Sequence, residues 1–279
     1  SPHHVSAEFF KWAQKHPRLT LEVPEKLVVV SFAHFNNQKA PLDDVHVRRA
    51  IAHLHDWQTL VKNIRGDLGD SAPTGPMARG IMGHNDQLKM YEFSLEKAKA
   101  ELAKSKYSDI RPITCNHIAG NEWQRLECEM LAANAQKIGL TIKPEMLPWG
   151  SYVAAVADPE TSPDIVIVQS VPVFLDPDAV LYGLWHSNTI HSFNTAPTHY
   201  SNAKVDKLLE EARVLVDTDE RIKRYKEVQQ IVQDDSPSIF LQEMARIWIH
   251  DVRLQGMATN LGGFSAMKVY NFWWDPSAA

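Results

Sequence analysis

From residue 113 to residue 185 short apolar runs alternate with amphipathic ones, and this alternation constrains the fold more than any other feature. "ITCNHIAG" (113–120), "LTIKPEML" (140–147) and "DIVIVQS" (164–170) have the length and β-branched content of strands. Between and after them, "NEWQRLECEMLAANAQKIG" (121–139), "SYVAAVAD" (151–158) and "AVLYGLW" (179–185) carry helical spacing. Strands separated by helices need crossover connections, which lay the strands side by side with helices on the sheet faces. The expectation is an α/β layer structure with a largely parallel or mixed sheet.

The flanking segments extend this pattern. "RLTLEVP" (18–24) and "KLVVVSFAHFN" (26–36) read as strands, the second long and fully buried. In "PLDDVHVRRAIAHLHD" (41–56), Val47, Ala50, Ile51 and Leu54 fall on one helical face behind Asp44, an N-cap that accepts a free backbone N–H. Asp56 restarts a helix with the stripe Trp57, Leu60, Val61 and Ile64, and Ser94 caps "LEKAKAELAKS". Residues 65–86 hold five Gly and two Pro and read as a long loop. Two amphipathic helices, 202–217 and 219–235, precede a strand expected over 238–250 and a tail rich in Gly and aromatics. Asp176-Pro177-Asp178 reads as punctuation: the proline halts an extended segment and an aspartate caps the next helix.

Composition excludes several classes. A net charge of −5 with dispersed Lys and Arg gives no basic patch for nucleic acid. The longest apolar runs, "KLVVVSF" and "DIVIVQSVPVFL", fall short of the roughly 20 residues that span a bilayer. The opening "SPHHVSAEFFKWAQ" is no signal peptide, so either the protein is cytosolic or the chain starts after its targeting segment. Cys115 and Cys128 fit no CxxC motif and are expected as buried thiols and not a bridge. The 13 His form no HExxH or zinc-spaced cluster, and the two of "HLH" (53–55) point to different sides of a helix, so no metal or cofactor is expected.

Several stretches resemble, in order and with nearly the expected spacing, the large extracellular solute-binding proteins of ABC importers for peptides, nickel chelates, opines and related solutes (family 5). They are "PLDDVHVRRAI…D…LV" (41–61), "APTGP" (72–76), "EKAKAELAKSKY" (96–107), "LPWGSYVAAV" (147–156), "DPDAVLYGLWHS" (176–187) and the run from "YSNAKVDKLL" to "DDSPSIFL" (200–241). Members are usually about twice this length, with two lobes that close over a solute. The resemblance therefore implies the C-terminal half of a two-lobed periplasmic-binding-protein-like fold, a mixed sheet flanked by helices. Residues 1–26 would be a remnant of lobe one, 27–250 the second lobe with hinge crossings near 27–36 and 240–250, and 251–279 a return to lobe one. It also implies a periplasmic or extracellular location and a membrane permease as partner.

A clamshell binder needs hydrogen bonds, charge complement and aromatic walls, and ligands of open α/β sheets lie at strand ends. The ends here are "NHIAGN", "LPWG" and "QSVPVF", which nominate His117, Asn121, Trp149, Ser170, Val173 and Phe174. Asn121 alternatively caps the following helix, and Trp149 alternatively belongs to the core. Trp185, Asn194, His199 and Tyr200 flank a loop that runs beside the pocket in the resembled family, with surface decoration as the alternative.

In peptide-binding relatives an Asp four residues before the proline of this segment, after a Gly-Trp pair, holds the peptide's amino terminus. The matching position is Val173, and Gln169-Ser170 replace the Gly-Trp. A buried ammonium without a counter-charge costs several kcal/mol, which favours a neutral, anionic or sugar-like solute over a peptide held by its amino end. By family frequency peptide-like solutes still rank first. The rival classes are a receptor module that hands its ligand state to a signalling partner, and a hydrolase. The chain has no GxSxG or Ser…Lys pattern, so no catalytic residue is nominated.

Overall fold

"VVSFAHF" forms the strand on which the sheet is built: β2, Val29–Phe35, is buried at every position. Such a strand needs neighbours on both edges and cover on both faces. In the computed structural model, which describes residues 7–22, 28–65, 71–172, 174–189, 198–244, 247–256 and 272–277, β2 pairs antiparallel with β5 (Ile165–Ser170) and with β6 (Ser238–Met244). β5 continues in parallel to β3 (Ile113–Ile118), and β3 in parallel to β4 (Ile142–Leu147). The order β4-β3-β5-β2-β6 makes the sheet mixed, as the alternating pattern implied.

The predicted caps act as expected. Asp44 starts α2 (Val45–Ala52) by accepting from His46 N, and Asp56 starts α3 (Trp57–Thr59), which runs on as a π-helical turn over Leu60–Arg65. Ser94 caps α4 (Leu95–Leu102), numbered after the short N-terminal α1 (Ala7–Ala13). α5 (Glu122–Gln136) and α6 (Trp149–Ala155) make the two crossovers, and α6 begins two residues earlier than its apolar pattern suggested. In α7 (Pro177–Trp185) the proline occupies the first turn, where no N–H is needed. Asp176 caps it and also takes a two-pronged contact from Arg221 at 2.8 and 2.9 Å, so its role is structural. Cys115 and Cys128 are free and fully buried, each thiol beside the other, and burial pushes the Cys128 thiol well up.

The strand expected over 238–250 is a correction. β6 stops at Met244, and β7 (Trp248–Asp251) leaves the main sheet to pair antiparallel with β1 (Leu19–Glu22). A continuous apolar run does not encode which sheet each half joins; β1, from the other end of the chain, supplies the second pairing surface. β8 (Leu254–Gln255) and β9 (Trp273–Trp274) form a further small pair.

One buried cation ties the helix layer to this sheet. Arg48 of α2 donates to Leu42 O (2.8 Å), Asp235 O (2.6 Å) and Ser236 O (3.0 Å), and Arg49 reaches Asp234 O at 2.6 Å. Three of these carbonyls belong to the C-terminus of α9 (Thr218–Asp235), where unpaired oxygens and the negative end of the helix dipole favour a cation. Burial lowers the Arg48 guanidinium to about 10, still charged at neutral pH. Arg48→Met is expected to lower stability by about 3–5 kcal/mol, from three charge-assisted hydrogen bonds lost in a buried setting. Urea denaturation checks this, and a loss below about 1 kcal/mol would show that the carbonyls find other partners.

Candidate functional site

The C-terminal ends of β4, β3 and β5, at Leu147, Ile118 and Ser170, lie on one edge of the sheet because the three strands are parallel. β2 and β6 bring two more chain ends there: Val30 pairs with Ser170 and Glu243, and Val29 with Met244. The chain therefore enters the main sheet through β2 and leaves it through β6 at the edge that carries the strand-end loops. The β1–β7 pair lies immediately upstream and downstream of these two crossings.

At the end of β3 the chain turns through Gly120, whose φ of +80° suits a residue without Cβ, into α5. Gln124 of the first turn accepts from Ile118 N at 2.9 Å and fixes the strand end. Asn121 stands at the N-cap position but makes no capping hydrogen bond. Its Oδ1 and the Nδ1 of His117 are buried with no hydrogen-bond partner among the described residues. Buried polar atoms are normally satisfied, so two orphans at one strand end mark a place where an outside group can complete the bonding. The cap reading of Asn121 is thus not what its side chain does.

After β4, Trp149 opens α6 with 52% of its surface exposed and its ring against Tyr152. After β5, Phe174 and Leu175 stand exposed beyond Ser170. Large apolar groups at the C-terminal edge of a sheet, beside hydrogen-bonding groups, make a wall suited to a partly apolar solute. The seam beside Ser170, lined by Val30, Phe32, Ala78, Ile81, Pro172 and Val180 among others, has no room for a water molecule.

Three nominated residues lie elsewhere. Trp185 is fully buried, its ring 5.9 Å from Phe32, 6.1 Å from Phe240 and 6.3 Å from Tyr200, so it is a core residue of α7. His199 and Tyr200 sit at the opposite edge, near the C-terminal end of β2. There the Gln38 amide donates to His199 O at 3.1 Å, and Tyr200 donates its hydroxyl to Asp235 Oδ2 at 2.5 Å. Burial and Asp235 push the Tyr200 hydroxyl well up, and His199 holds a left-handed φ of 48°. Their chain position beside a predicted loop carried no information about which sheet edge the loop would occupy. Val173 and Asn194 lie outside the described residues.

Glu243 was not nominated and belongs to the site edge. Its buried carboxylate accepts from Thr74 Oγ1 (2.8 Å), Arg79 N (2.5 Å) and Ser71 Oγ (3.2 Å), which pins residues 71–79, including "APTGP", against the end of β6. The available signal was the one charged residue in the strand "SIFLQEM". Among the described residues no three His, Cys, Asp or Glu side chains are placed to hold a metal ion, and no helix is long and apolar enough to cross a membrane.

Comparison with known proteins gives the class to which this fold belongs. Residues 6–192 match the bacterial extracellular solute-binding proteins, family 5, in their middle region. The chain belongs to that family. Heme-binding protein A of Haemophilus influenzae is 29% identical over 257 residues, covering 90% of this chain and 45% of that protein. The dipeptide-binding protein of Escherichia coli is 26% identical over 220 residues, covering 76% and 40%. The peptide complex of the periplasmic binding protein DppA from Helicobacter pylori superposes with a TM-score of 0.86 at 22% identity, over 96% of this chain and 51% of that one. NikZ of Campylobacter jejuni in complex with Ni(L-His) gives 0.81 at 20% identity, over 96% and 56%. The chain spans about half the length of the curated relatives it matches.

Core and wall tryptophans are separable by experiment. Trp185→Ala is expected to cost about 3–5 kcal/mol in chemical denaturation, whereas Trp149→Ala, at a half-exposed position, should stay within about 1 kcal/mol. Equal losses would remove the distinction.

Proposed function

We propose that the protein is the solute-binding component of an ABC importer and that the edge formed by His117, Asn121, Trp149, Ser170 and Phe174 is the solute-facing wall of its second lobe. The observation that carries this reading is the coincidence of two features at one edge. The polar orphans and exposed aromatics stand where the chain twice crosses between the main sheet and the β1–β7 pair. A solute bound beside two crossings is placed to bias the angle between the units they join, so binding becomes a population shift toward a closed form.

In this reading residues 27–250 are the second lobe, residues 1–26 a remnant of the first, and residues 251–279 a return to it. The protein acts in the periplasm or outside the cell and hands its solute to membrane permease subunits, without catalysis. Named relatives that bind heme or dipeptides support the class of activity. The solute is small, polar or peptide-like. None of the five wall residues is a carboxylate, Glu243 at the same edge is committed to Ser71, Thr74 and Arg79, and Val173 stands where peptide-binding relatives place one. A buried ammonium would lack its counter-charge there, so neutral or anionic solutes, including N-blocked peptides, are favoured over free amino termini.

A thermal-shift screen of the full-length protein against free dipeptides, N-acetylated peptides, sugars and metal chelates tests this. The true solute at a hundred times its Kd should stabilise by about 2.7 kcal/mol. Hydrolysis of a solute with no stabilisation by any would overturn the binding reading. These 279 residues alone, with half the pocket wall missing, should bind weakly or not at all. Micromolar affinity by calorimetry on this half would contradict the two-lobed site.

A further inference from the structure

Inside the sheet's helix-covered face, away from the solute edge, one histidine faces two hydrogen-bond acceptors. His55, between α2 and α3, places Nδ1 2.8 Å from Glu127 Oε1 of α5 and Nε2 2.8 Å from Leu241 O of β6. The His55 side chain is 3% exposed and that of Glu127 0%. A carboxylate and a carbonyl both accept, and a neutral imidazole has one N–H to give. Both contacts are hydrogen bonds only if the pair holds one proton more than neutral imidazole plus carboxylate, either on the ring or on Glu127.

Leu241 is the residue that needs this contact. Ser31 pairs with Gln242 and Phe32 with Phe240, so Leu241 is the extra residue of a β-bulge, and its carbonyl points out of the ladder. The bulge sets the register of the last part of β6, where Gln242, Glu243 and Met244 pair with Ser31, Val30 and Val29 and where Glu243 pins residues 71–79.

We propose that His55 and Glu127 form a one-proton lock on the bulge of β6, engaged only while the pair keeps its extra proton. When the proton leaves, a lone pair of the ring must face either the Glu127 carboxylate or the Leu241 carbonyl inside the core, and one contact turns repulsive. The bulge then loosens, and with it the end of β6 that leads to the crossing.

Several other groups surround His55, and Glu127 is the strongest that favours its proton. Asp56, next in the chain, caps α3 and adds to the pull of Glu127 on the ring's proton. Tyr91 from the loop before α4 and Gln233 of α9 line the cavity beside the ring, with the Tyr91 hydroxyl donating to Gln233 O. On α5 the neighbour of Glu127 is the buried Cys128 thiol, which stays neutral. Desolvation opposes the His55 cation most strongly, but Glu127, the Leu241 carbonyl and Asp56 together outweigh it and raise its pKa above 6.5. A raised folded-state value contributes stability that is complete below the unfolded value of about 6.5 and is lost as pH rises through the folded one. His34 is the internal contrast: buried against Phe32 with only Ser238 Oγ on Nδ1, it falls to about 3 and stays neutral.

Two measurements test the lock. In ¹⁵N-histidine NMR of the unmodified protein, one ring should retain two hydrogen-bonded protons, on its own nitrogens or shared with a carboxyl, above pH 6.5. If every buried ring carries a single N–H with one free nitrogen there, the lock does not exist. Amide exchange at Gln242–Met244, corrected for the intrinsic base-catalysed rate, should lose about tenfold in protection when pH is raised through that titration, the effect of one charge-assisted hydrogen bond.

In Glu127→Gln, the amide can donate to Nδ1 of a neutral ring whose Nε2–H still reaches Leu241 O. The alkaline loss of protection should vanish and the melting temperature should instead fall toward acid pH. An unchanged alkaline loss in this variant would overturn the proposal. Should the variant not fold, the wild-type spectrum decides alone.

Discussion

The fold depends on how the C-terminus of α9 is closed. A helix of 18 residues ends with unpaired carbonyls and the negative pole of its dipole, and here that end is buried against the sheet. Arg48 fills it, spending its planar fork on Asp235 O, Ser236 O and Leu42 O, a geometry that a lysine ammonium does not reproduce. Tyr200 and Asn202, which lead into α8 (Ala203–Val214), close on the Asp235 carboxylate. Ser236 then takes a left-handed φ of 49° and the chain drops straight into β6. α2, the start of α8, α9 and the edge of the sheet are thus joined at one buried cation.

From that anchor the sheet is laid out so that its two edges do different things. At the α9 edge the loops are closed internally: Asp164 takes a bidentate contact from Arg111 at 2.7 Å, and Asn37 spans Phe35, Thr198 and Pro237. At the other edge the crossings enter and leave, aromatic surface is exposed, and His117 and Asn121 keep unpaired buried atoms. The first edge ties the lobe together, and the second carries the chain crossings and the exposed aromatic surface.

The elements themselves were legible. Asp44, Asp56, Ser94 and Asp176 cap helices as their position before apolar stripes implied, because a cap is a contact within four residues. The strand-end loops were legible too, since parallel strands end together. Trp185, His199 and Tyr200 were not, because their placement depends on which face α7 buries and on which edge the loop before α8 reaches. Glu243, Glu127 and His55 were equally hidden, because their partners lie 72 or more residues away.

The sequence by itself determined the local and the periodic: the strand–helix alternation, the caps, the fully buried β2 and the family that the ordered motifs resemble. Tertiary structure alone decided where a continuous apolar run such as 238–250 splits between two sheets, which aromatics face solvent, and which carbonyl a bulge turns toward a histidine. The reason is physical. Secondary structure follows from interactions between near neighbours in the chain, whereas pairing partners and buried charges are chosen by groups that meet only after the chain has closed on itself.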